Sequence, residues 1–554
     1  MSAGPGYLNA AALRDGGPYR FTRQIERLLG QLGFRHVTNI DGSGDHGGDI
    51  LAELNGQLWV FQAKWKKAGP VDASGVNEVS AAQDHYGADH AVVVTNTYPS
   101  AGAQARAHEL LRLGRRIDFW QGSELPQLLS AAPEWPSVAL RDYQDEAVAA
   151  VAADLERKNR ALLVLATGLG KTVVGGELIG RHLRSADAGD VLVVVHQKEL
   201  VNQLERALWR HLPKRVPTQV LTGDDQPRTL AGVTCATVAS ALNAVLKGWR
   251  PSLVMVDETH HVGEVGQFNR LLTLLSDSAQ FGVTATPWRG DAYDIEHRFG
   301  RASYKLGIEE GMRRGYLTSV DYRLFVDNID WDLVRGSSEH SYSIKDLNAR
   351  LFLPQRDEAI VDALKDAWNA TPAPRAIVFC QTIEHCERMQ ARLRAVPGWG
   401  SAAALHNDLV KREQQQRLLD FRAGRIPILV AVDILNEGVD VPDVNLLVFA
   451  RVTHSRRIFV QQLGRGLRLR DGKKKVVALD FVSDIRRVAA LLNLRRQLGA
   501  EEIEVLDRIP QSDISFNDAR AEGLLEQWIR DAADLETAND EARLQFLDPD
   551  VLPA

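Results

Sequence analysis

Apolar positions recur along this chain with two different spacings, and the change from one to the other divides it into blocks. Near the N-terminus Phe21, Ile25, Leu28, Leu29 and Leu32 fall three or four residues apart, as one face of an amphipathic helix requires. Glu26 stands at the edge of that stripe, where the pattern predicts an exposed carboxylate. Residues 57–65 (QLWVFQAKW) then alternate, which predicts a strand carrying Gln62 and Lys64 on one face. Further on, short continuous apolar runs take over at 161–166, 191–196, 252–257 and 281–284, separated by helix-length stretches. A second set follows at 376–380, 428–432, 444–449 and 475–481. Strand-sized apolar runs between helices predict parallel sheets covered on both faces. Two such sets in tandem predict two α/β lobes.

The expected layout is therefore a flexible start (1–18), a mixed domain (19–130) and a linker (131–138) whose AAPEWPS carries two prolines. A first lobe (139–300), a less periodic connector (301–356), a second lobe (357–498) and an acidic extension (499–554) complete it. In the extension Leu524, Leu525, Trp528, Ile529 and Leu535 fall at helical spacing, predicting a helical tail that packs on the rest or meets a protein partner.

Composition agrees with several folded domains. At about 150 residues per domain, 554 residues suggest three to four. Hydrophobic residues at 45% and charged residues at 25% are ordinary for a globular chain. No apolar run approaches the ~18 residues needed to span a bilayer, and residues 1–20 lack the apolar core of an export signal. Three cysteines cannot build a disulfide framework. The expectation is a cytoplasmic protein with no membrane partner. Net charge is −6, yet residues 513–554 hold 11 acidic and 3 basic side chains, or −8, which leaves about +2 for the body. Basic clusters lie at 456–457, 465–475 and 486–496, so overall charge does not exclude a nucleic-acid partner.

Two constellations carry chemistry. Residues 161–172 read ALLVLATGLGKT, an apolar strand, a glycine-bearing loop and a helix start. In such a loop (Thr167, Gly168, Leu169, Gly170) backbone N–H groups close around phosphate oxygens; Lys171 reaches the β- and γ-phosphates of ATP and Thr172 holds Mg²⁺. The strand VMVDETHH (254–261) ends in two acids. Asp257 is placed to hold the nucleotide's Mg²⁺ and Glu258 to orient or deprotonate the attacking water. The second constellation is N-terminal. GSGDHGGDI (42–50) turns the backbone and sets Asp49 at the start of a strand, and a hairpin would bring it beside Gln62 and Lys64. Asp49, with Gln62 or its neighbouring carbonyl and with Glu26 as a further candidate, would then bind Mg²⁺ while Lys64 steers or activates the water that attacks a phosphodiester.

Between 140 and 498 the chain resembles superfamily 2 helicases and translocases. Seven elements stand in that family's order: LRDYQ (140–144), ATGLGKT (166–172), VDETH (256–260), TATP (284–287), VFCQT (378–382), AVDILNEGVDVP (431–442) and QQLGRGLR (461–468). The resemblance implies two RecA-like lobes. It also implies adenine reading by Arg141 and Gln144, nucleotide contacts by Gly438 and Asp440, and arginine fingers at Arg465 and Arg468. The spellings DETH, TATP and QQLGRGLR are similar to the motors of DNA restriction systems, which implies double-stranded DNA as the track.

Residues 19–129 resemble the Mrr-type restriction endonuclease domain, of the PD-(D/E)xK fold, through GDHGGDI, FQAKWKK, HAVVVTNTYPSAGAQARAHEL and IDFWQGSELPQLL. That resemblance implies catalysis by Asp49, Gln62 and Lys64, with Glu26 as the helical glutamate. Together the two resemblances imply an ATP-driven DNA translocase or helicase with a Mg²⁺-dependent endonuclease, in restriction or antiviral defence. Repair or recombination by the same chemistries, and a remodelling ATPase whose N-terminal domain only binds DNA, stay open at this stage. Cys380, His385 and Cys386 lack the further ligands a zinc site needs and read as packing.

Overall fold

The computed structural model describes residues 7–40, 47–185, 188–285, 295–325, 341–343, 357–432, 444–450, 475–481, 514–516 and 543–545. Its contacts divide the chain into two compact units. One holds Met1–Val164 and Gly170–Lys305; the other holds Leu165–Leu169 and Leu306–Ala554.

The first unit begins with a five-stranded sheet in the order β1 (Arg35–Asn39), β2 (Ile50–Leu54), β3 (Gln57–Lys64), β4 (His90–Thr95), β5 (Ile117–Trp120). β1, β2 and β3 are antiparallel neighbours, whereas β3, β4 and β5 run parallel. The β2–β3 turn is the two-residue loop Asn55-Gly56, both at positive φ (53° and 78°). Such a turn matches the twist of the flanking strands and fixes their register. Helices α1 (Ala10–Asp15), α2 (Gly17–Gln31), α3 (Ala73–Tyr86), α4 (Ala101–Arg112) and α5 (Leu125–Ala131) accompany this sheet. The α2 stripe packs as its spacing predicts: Phe21, Ile25, Leu28 and Leu29 are buried in one core with Phe61, Val92 and Val94. Asp72 caps α3 by accepting from the Ser74 N–H, and Gly87 closes it in the left-handed conformation.

The same unit continues through α6 (Asp142–Lys158) into a seven-stranded sheet. Its strands are β6 (Arg160–Leu165), β7 (Val191–Val195), β8 (Thr218–Leu221), β9 (Val233–Thr237), β10 (Leu253–Asp257), β11 (Ala279–Thr284) and β12 (Tyr304–Leu306). They stand in the order β12-β6-β11-β10-β7-β9-β8, and the neighbours from β6 to β8 are parallel. Helices α7 (Lys171–Arg184) and α8 (Lys198–Leu208) follow β6 and β7. Leu162, Val164, Leu192, Val194, Val254 and Val256 form a buried core. In parallel sheets functional loops gather at the carboxyl ends of the strands, and that is where Lys171 and Asp257 stand.

The second unit has its own seven-stranded sheet, with strands β13 (Ser319–Phe325), β15 (Ala376–Phe379), β16 (Ala403–Leu405), β17 (Ile428–Ala431), β18 (Leu446–Phe449), β19 (Lys475–Phe481) and β20 (Ile514–Phe516). Their order is β16-β17-β15-β18-β19-β13-β20, with all pairs parallel. The stretch read as a connector (301–356) contributes β13, which pairs with β19 along its whole length. Buried Val320 and Tyr322 alternate with Asp321 and Arg323, which pair with each other, so the strand contains no continuous apolar run. Within the acidic extension β20 joins this sheet and β21 (Arg543–Gln545) pairs antiparallel with β14 (Ser341–Ser343). The helix expected over 524–535 lies outside the described residues. Among the described residues no helix is long and apolar enough to cross a membrane. Cys235, Cys380 and Cys386 are all buried, and none of them forms a disulfide.

Candidate functional site

The hairpin register decides the N-terminal centre. Pairing Leu54 with Gln57 and Ile50 with Phe61 carries Asp49 opposite Gln62. The Asp49 N–H donates to the Phe61 carbonyl at 2.9 Å. Its Oδ2 accepts from Gln62 Nε2 at 2.9 Å and from the Ala63 N–H at 2.6 Å. Two glycines permit this approach. A Cβ on Gly47, at φ +87°, would lie 2.5 Å from the Glu78 carbonyl oxygen, and one on Gly48 would lie 2.9 Å from Val60 Cγ2. The run GGD therefore threads backbone beneath α3, where a side chain has no room.

Asp49 and Gln62 are buried (6% and 4% exposed), and Gln62 Oε1 has no hydrogen-bond partner among the described residues. An orphaned buried amide oxygen beside a carboxylate is a costly arrangement in an apolar setting. It suits a hard divalent cation, which takes oxygen donors of this kind. Lys64, on the same strand, pairs through Nζ with Glu78 of α3. Glu78 escaped the sequence reading because a lone acid on a polar helix carries no spacing signal.

Glu26 departs from expectation. It is 3% exposed, not at a free helix edge. Its Oε1 accepts from Asn39 Nδ2 at 2.7 Å, and Arg206 of α8 grips it by two bonds, Nε to Oε2 at 2.6 Å and Nη2 to Oε1 at 3.0 Å. A surface 180 residues away in sequence covers this side of α2, and periodicity within a single helix cannot report it.

In the ATP-type site, Gly168 and Gly170 both adopt positive φ (93° and 85°), and Gly170 caps α7 so that Lys171 opens the helix. Helix N-termini favour phosphate there. A Cβ on Gly170 would lie 2.6 Å from Gln144 Nε2. Gln144 thus lies against the loop while its Oε1 accepts from the Arg141 N–H at 3.0 Å, capping α6. Leu169 is buried, and Thr167 Oγ1 is buried with no hydrogen-bond partner among the described residues. The half-buried Thr172 sits at the second position of α7.

Lys171 Nζ lies 3.6 Å from Glu258 Oε1. Burial, and then the neighbouring Glu258 charge, push Asp257 up to about 7 against the pull of Lys171. A carboxyl so destabilised as an anion calls for a cation, which fits the Mg²⁺ of a bound nucleotide. Glu258 itself is held at φ +50°, a left-handed conformation uncommon for a non-glycine residue. Two features of this site went unread in the sequence. The ring of His196, just past β7, stacks on His261 at 3.7 Å between centroids. Gly282 on β11 leaves space for Thr259, whose Cγ2 would lie 2.3 Å from an added Cβ. Gly438, Asp440, Arg465 and Arg468 lie outside the described residues, as does the Thr286-Pro287 half of TATP.

Comparison with known proteins follows the same division. Residues 13–129 match the Mrr-type family described as restriction endonuclease. Residues 137–289 match the family described as type III restriction enzyme, res subunit, and residues 356–470 match the helicase conserved C-terminal domain. A putative mitochondrial ATP-dependent helicase, irc3 of Schizosaccharomyces pombe, is 30% identical over 368 residues, covering 64% of this chain and 59% of that protein. The type I restriction enzyme EcoAI endonuclease subunit of Escherichia coli is 26% identical over 452 residues, covering 75% of this chain and 55% of its own length. The chain thus spans less than two thirds of these relatives. Among solved structures, the ATP-dependent type ISP restriction-modification enzyme LlaBIII bound to DNA superposes with a TM-score of 0.51 at 16% identity, over 96% of this chain and 42% of that one. That likeness is one of fold.

Proposed function

From a chain that carries an Mrr-type restriction endonuclease domain joined to a superfamily 2 helicase core of the restriction type, we propose an ATP-driven DNA translocase or helicase that also cuts DNA. The observation that carries the cutting half is the Asp49–Gln62 contact, with a buried amide oxygen left unpartnered beside a carboxylate. Asp49 and Gln62 would hold Mg²⁺, which when bound polarises the scissile phosphate and its attacking water. Lys64, once turned from Glu78, would steady charge developing on the phosphate.

In the motor half Lys171 and the N-terminus of α7 would hold the nucleotide phosphates, Asp257 and Thr172 the metal, and Glu258 the water. Arg465 and Arg468 would complete the site as arginine fingers. Restriction of foreign DNA, as in antiviral defence, is the role this combination suits, with double-stranded DNA as the track.

The test is a plasmid assay with Mg²⁺, with and without ATP. Wild type should produce breaks; Asp49→Ala should hydrolyse ATP without cutting, and Lys171→Ala should lose ATP turnover. One observation favours a second reading. The Lys64–Glu78 ion pair occupies the lysine, as in a domain that grips DNA without cutting. Absence of breaks in every divalent metal, with DNA binding intact, would select that alternative.

A further inference from the structure

The polar face of α2 is not a solvated face. Arg23, Glu26 and Arg27 recur at helical spacing opposite the apolar stripe, and all three are buried against the first motor lobe. Arg23 Nη2 donates to Asp225 Oδ2 at 2.6 Å, and its Nε lies 3.2 Å from Glu205. Burial pulls the Arg23 pKa down, but the carboxylates of Glu205 and Asp225 more than offset it, so the guanidinium stays charged. Arg27 donates to the carbonyls of Val216 and Pro213 and stacks 4.1 Å over the Tyr7 ring. Successive residues of α8 meet α2 with opposite signs: Glu205 takes Arg23, and Arg206 takes Glu26. This alternation admits one register only, because a shifted helix would bring like charges together.

Glu26 does more than close this joint. The oxygen that accepts from Arg206 Nη2 also accepts from Asn39 Nδ2. Asn39 pairs with Ile50 in the β1–β2 ladder, and the next residue, Ile40, donates its N–H to the Asp49 carbonyl at 2.8 Å. A continuous chain of bonds therefore runs from the motor lobe to the backbone of the candidate metal ligand: Arg206, Glu26, Asn39, then the ladder at Asp49.

We propose that Arg206 is a positioning residue for the nuclease centre, through which the first motor lobe holds the β1–β2 ladder that carries Asp49. Arg206 touches neither metal nor DNA in this role. Its bidentate fork fixes the Glu26 carboxylate, and Glu26 fixes Asn39. The nuclease is thereby anchored to one lobe of the motor and does not trail from a tether. The proposal deepens the reading given above and rests on it for the cleavage measurement only.

The test uses the full chain and compares Arg206→Ala, Arg206→Lys and Lys214→Ala. Lys214 belongs to the same joint, donating to the Leu129, Ser130 and Ala132 carbonyls, but does not contact Glu26. Arg206→Ala should lower kcat for plasmid cleavage at least tenfold with the KM for DNA and the ATPase rate unchanged. Arg206→Lys, which keeps charge without the fork, should recover part of it, and Lys214→Ala should cut as wild type does. Hydrogen exchange supplies a readout independent of cleavage: amides of residues 35–54 should exchange faster in Arg206→Ala while those of β4 and β5 keep their protection. Unchanged exchange over 35–54, or wild-type kcat in Arg206→Ala, overturns the proposal. A wild type that never cuts, combined with the predicted exchange change, sinks the nuclease reading and leaves the joint standing. Should Arg206→Ala fail to fold, Arg206→Lys gives the same exchange comparison at smaller amplitude.

Discussion

Gln62 donates its side-chain N–H to the Asp49 carboxylate across a tight hairpin, while its own carbonyl oxygen stays buried and unpartnered. Replacing Gln62 by Glu keeps the shape and reverses the electrostatics. Two carboxylates would face each other at hydrogen-bond distance, an arrangement tolerated only with a shared proton or a cation. In EDTA, Gln62→Glu should therefore lose stability, by about 1–3 kcal/mol for a buried group that exchanges a partner for a repulsion. Mg²⁺ or Mn²⁺ should restore the melting temperature. A variant as stable as wild type in EDTA would show that the pair is too solvated to bind metal in this way.

The motor makes a sharper demand. Lys171→Ala should abolish ATP turnover with folding retained, because Lys171 opens α7 beside Glu258 and is no part of the lobe's hydrophobic core. Arg465→Ala should lower turnover by about 10³-fold or more, as loss of an arginine finger does. Steady-state hydrolysis with circular dichroism as the folding control measures both, and wild-type turnover in either folded variant would refute the assigned roles.

A steric relation at the DETH segment can be tested by subtraction. Gly282→Ala would drive a methyl group into Thr259 Cγ2 and crowd the Phe299 ring. Overpacking of this kind costs about 1–3 kcal/mol. Thr259→Ser removes the offending methyl group, so the double variant should regain most of the melting temperature that Gly282→Ala loses. No recovery would place the strain elsewhere.

His211 is buried against Gly176 and Gly180 of α7. Burial, with Arg210 and Arg184 adding to it and Glu177 opposing, lowers its pKa from 6.5 to about 4. The folded state therefore binds a proton less readily than the unfolded chain. The stability this represents is complete above pH 6.5 and is lost as pH falls from 6.5 towards 4, by about 3 kcal/mol at most. His211→Gln cannot take up the proton, so its melting temperature should fall less steeply than that of wild type between pH 6.5 and 4.5. Parallel curves would assign the acid sensitivity to other groups.

What could be read beforehand follows from the range of the signal. The parallel strands were legible because each is a short apolar run, and the phosphate loop because its glycines and lysine are adjacent in sequence. Asp49 and Gln62 could be paired because Asn55-Gly56 sets a two-residue hairpin, a cue plain in the letters ELNGQLW. Glu78 was invisible, since only the fold of α3 over Gly47 brings it to Lys64. Glu26 was misread as exposed because its cover comes from α8, far along the chain. β13 offers no continuous apolar run, because Asp321 and Arg323 alternate with its buried Val320 and Tyr322, so it lacks the signal that marks the other strands of its sheet.

Helix α2 has no idle side: hydrocarbon on one flank belongs to the nuclease, and guanidinium and carboxylate groups on the other belong to the motor. The proline-marked stretch at 131–138 is where the letters suggest cutting the polypeptide into parts, yet the molecule's true seam runs along this helix, a hundred residues upstream. A fragment starting at residue 139 would leave Glu205, Arg206 and Asp225 facing solvent with their counter-ions gone, and one ending at 130 would carry three orphaned charges on its surface. Attempts to study either half as a free-standing module would then examine two wounded surfaces rather than two independent machines.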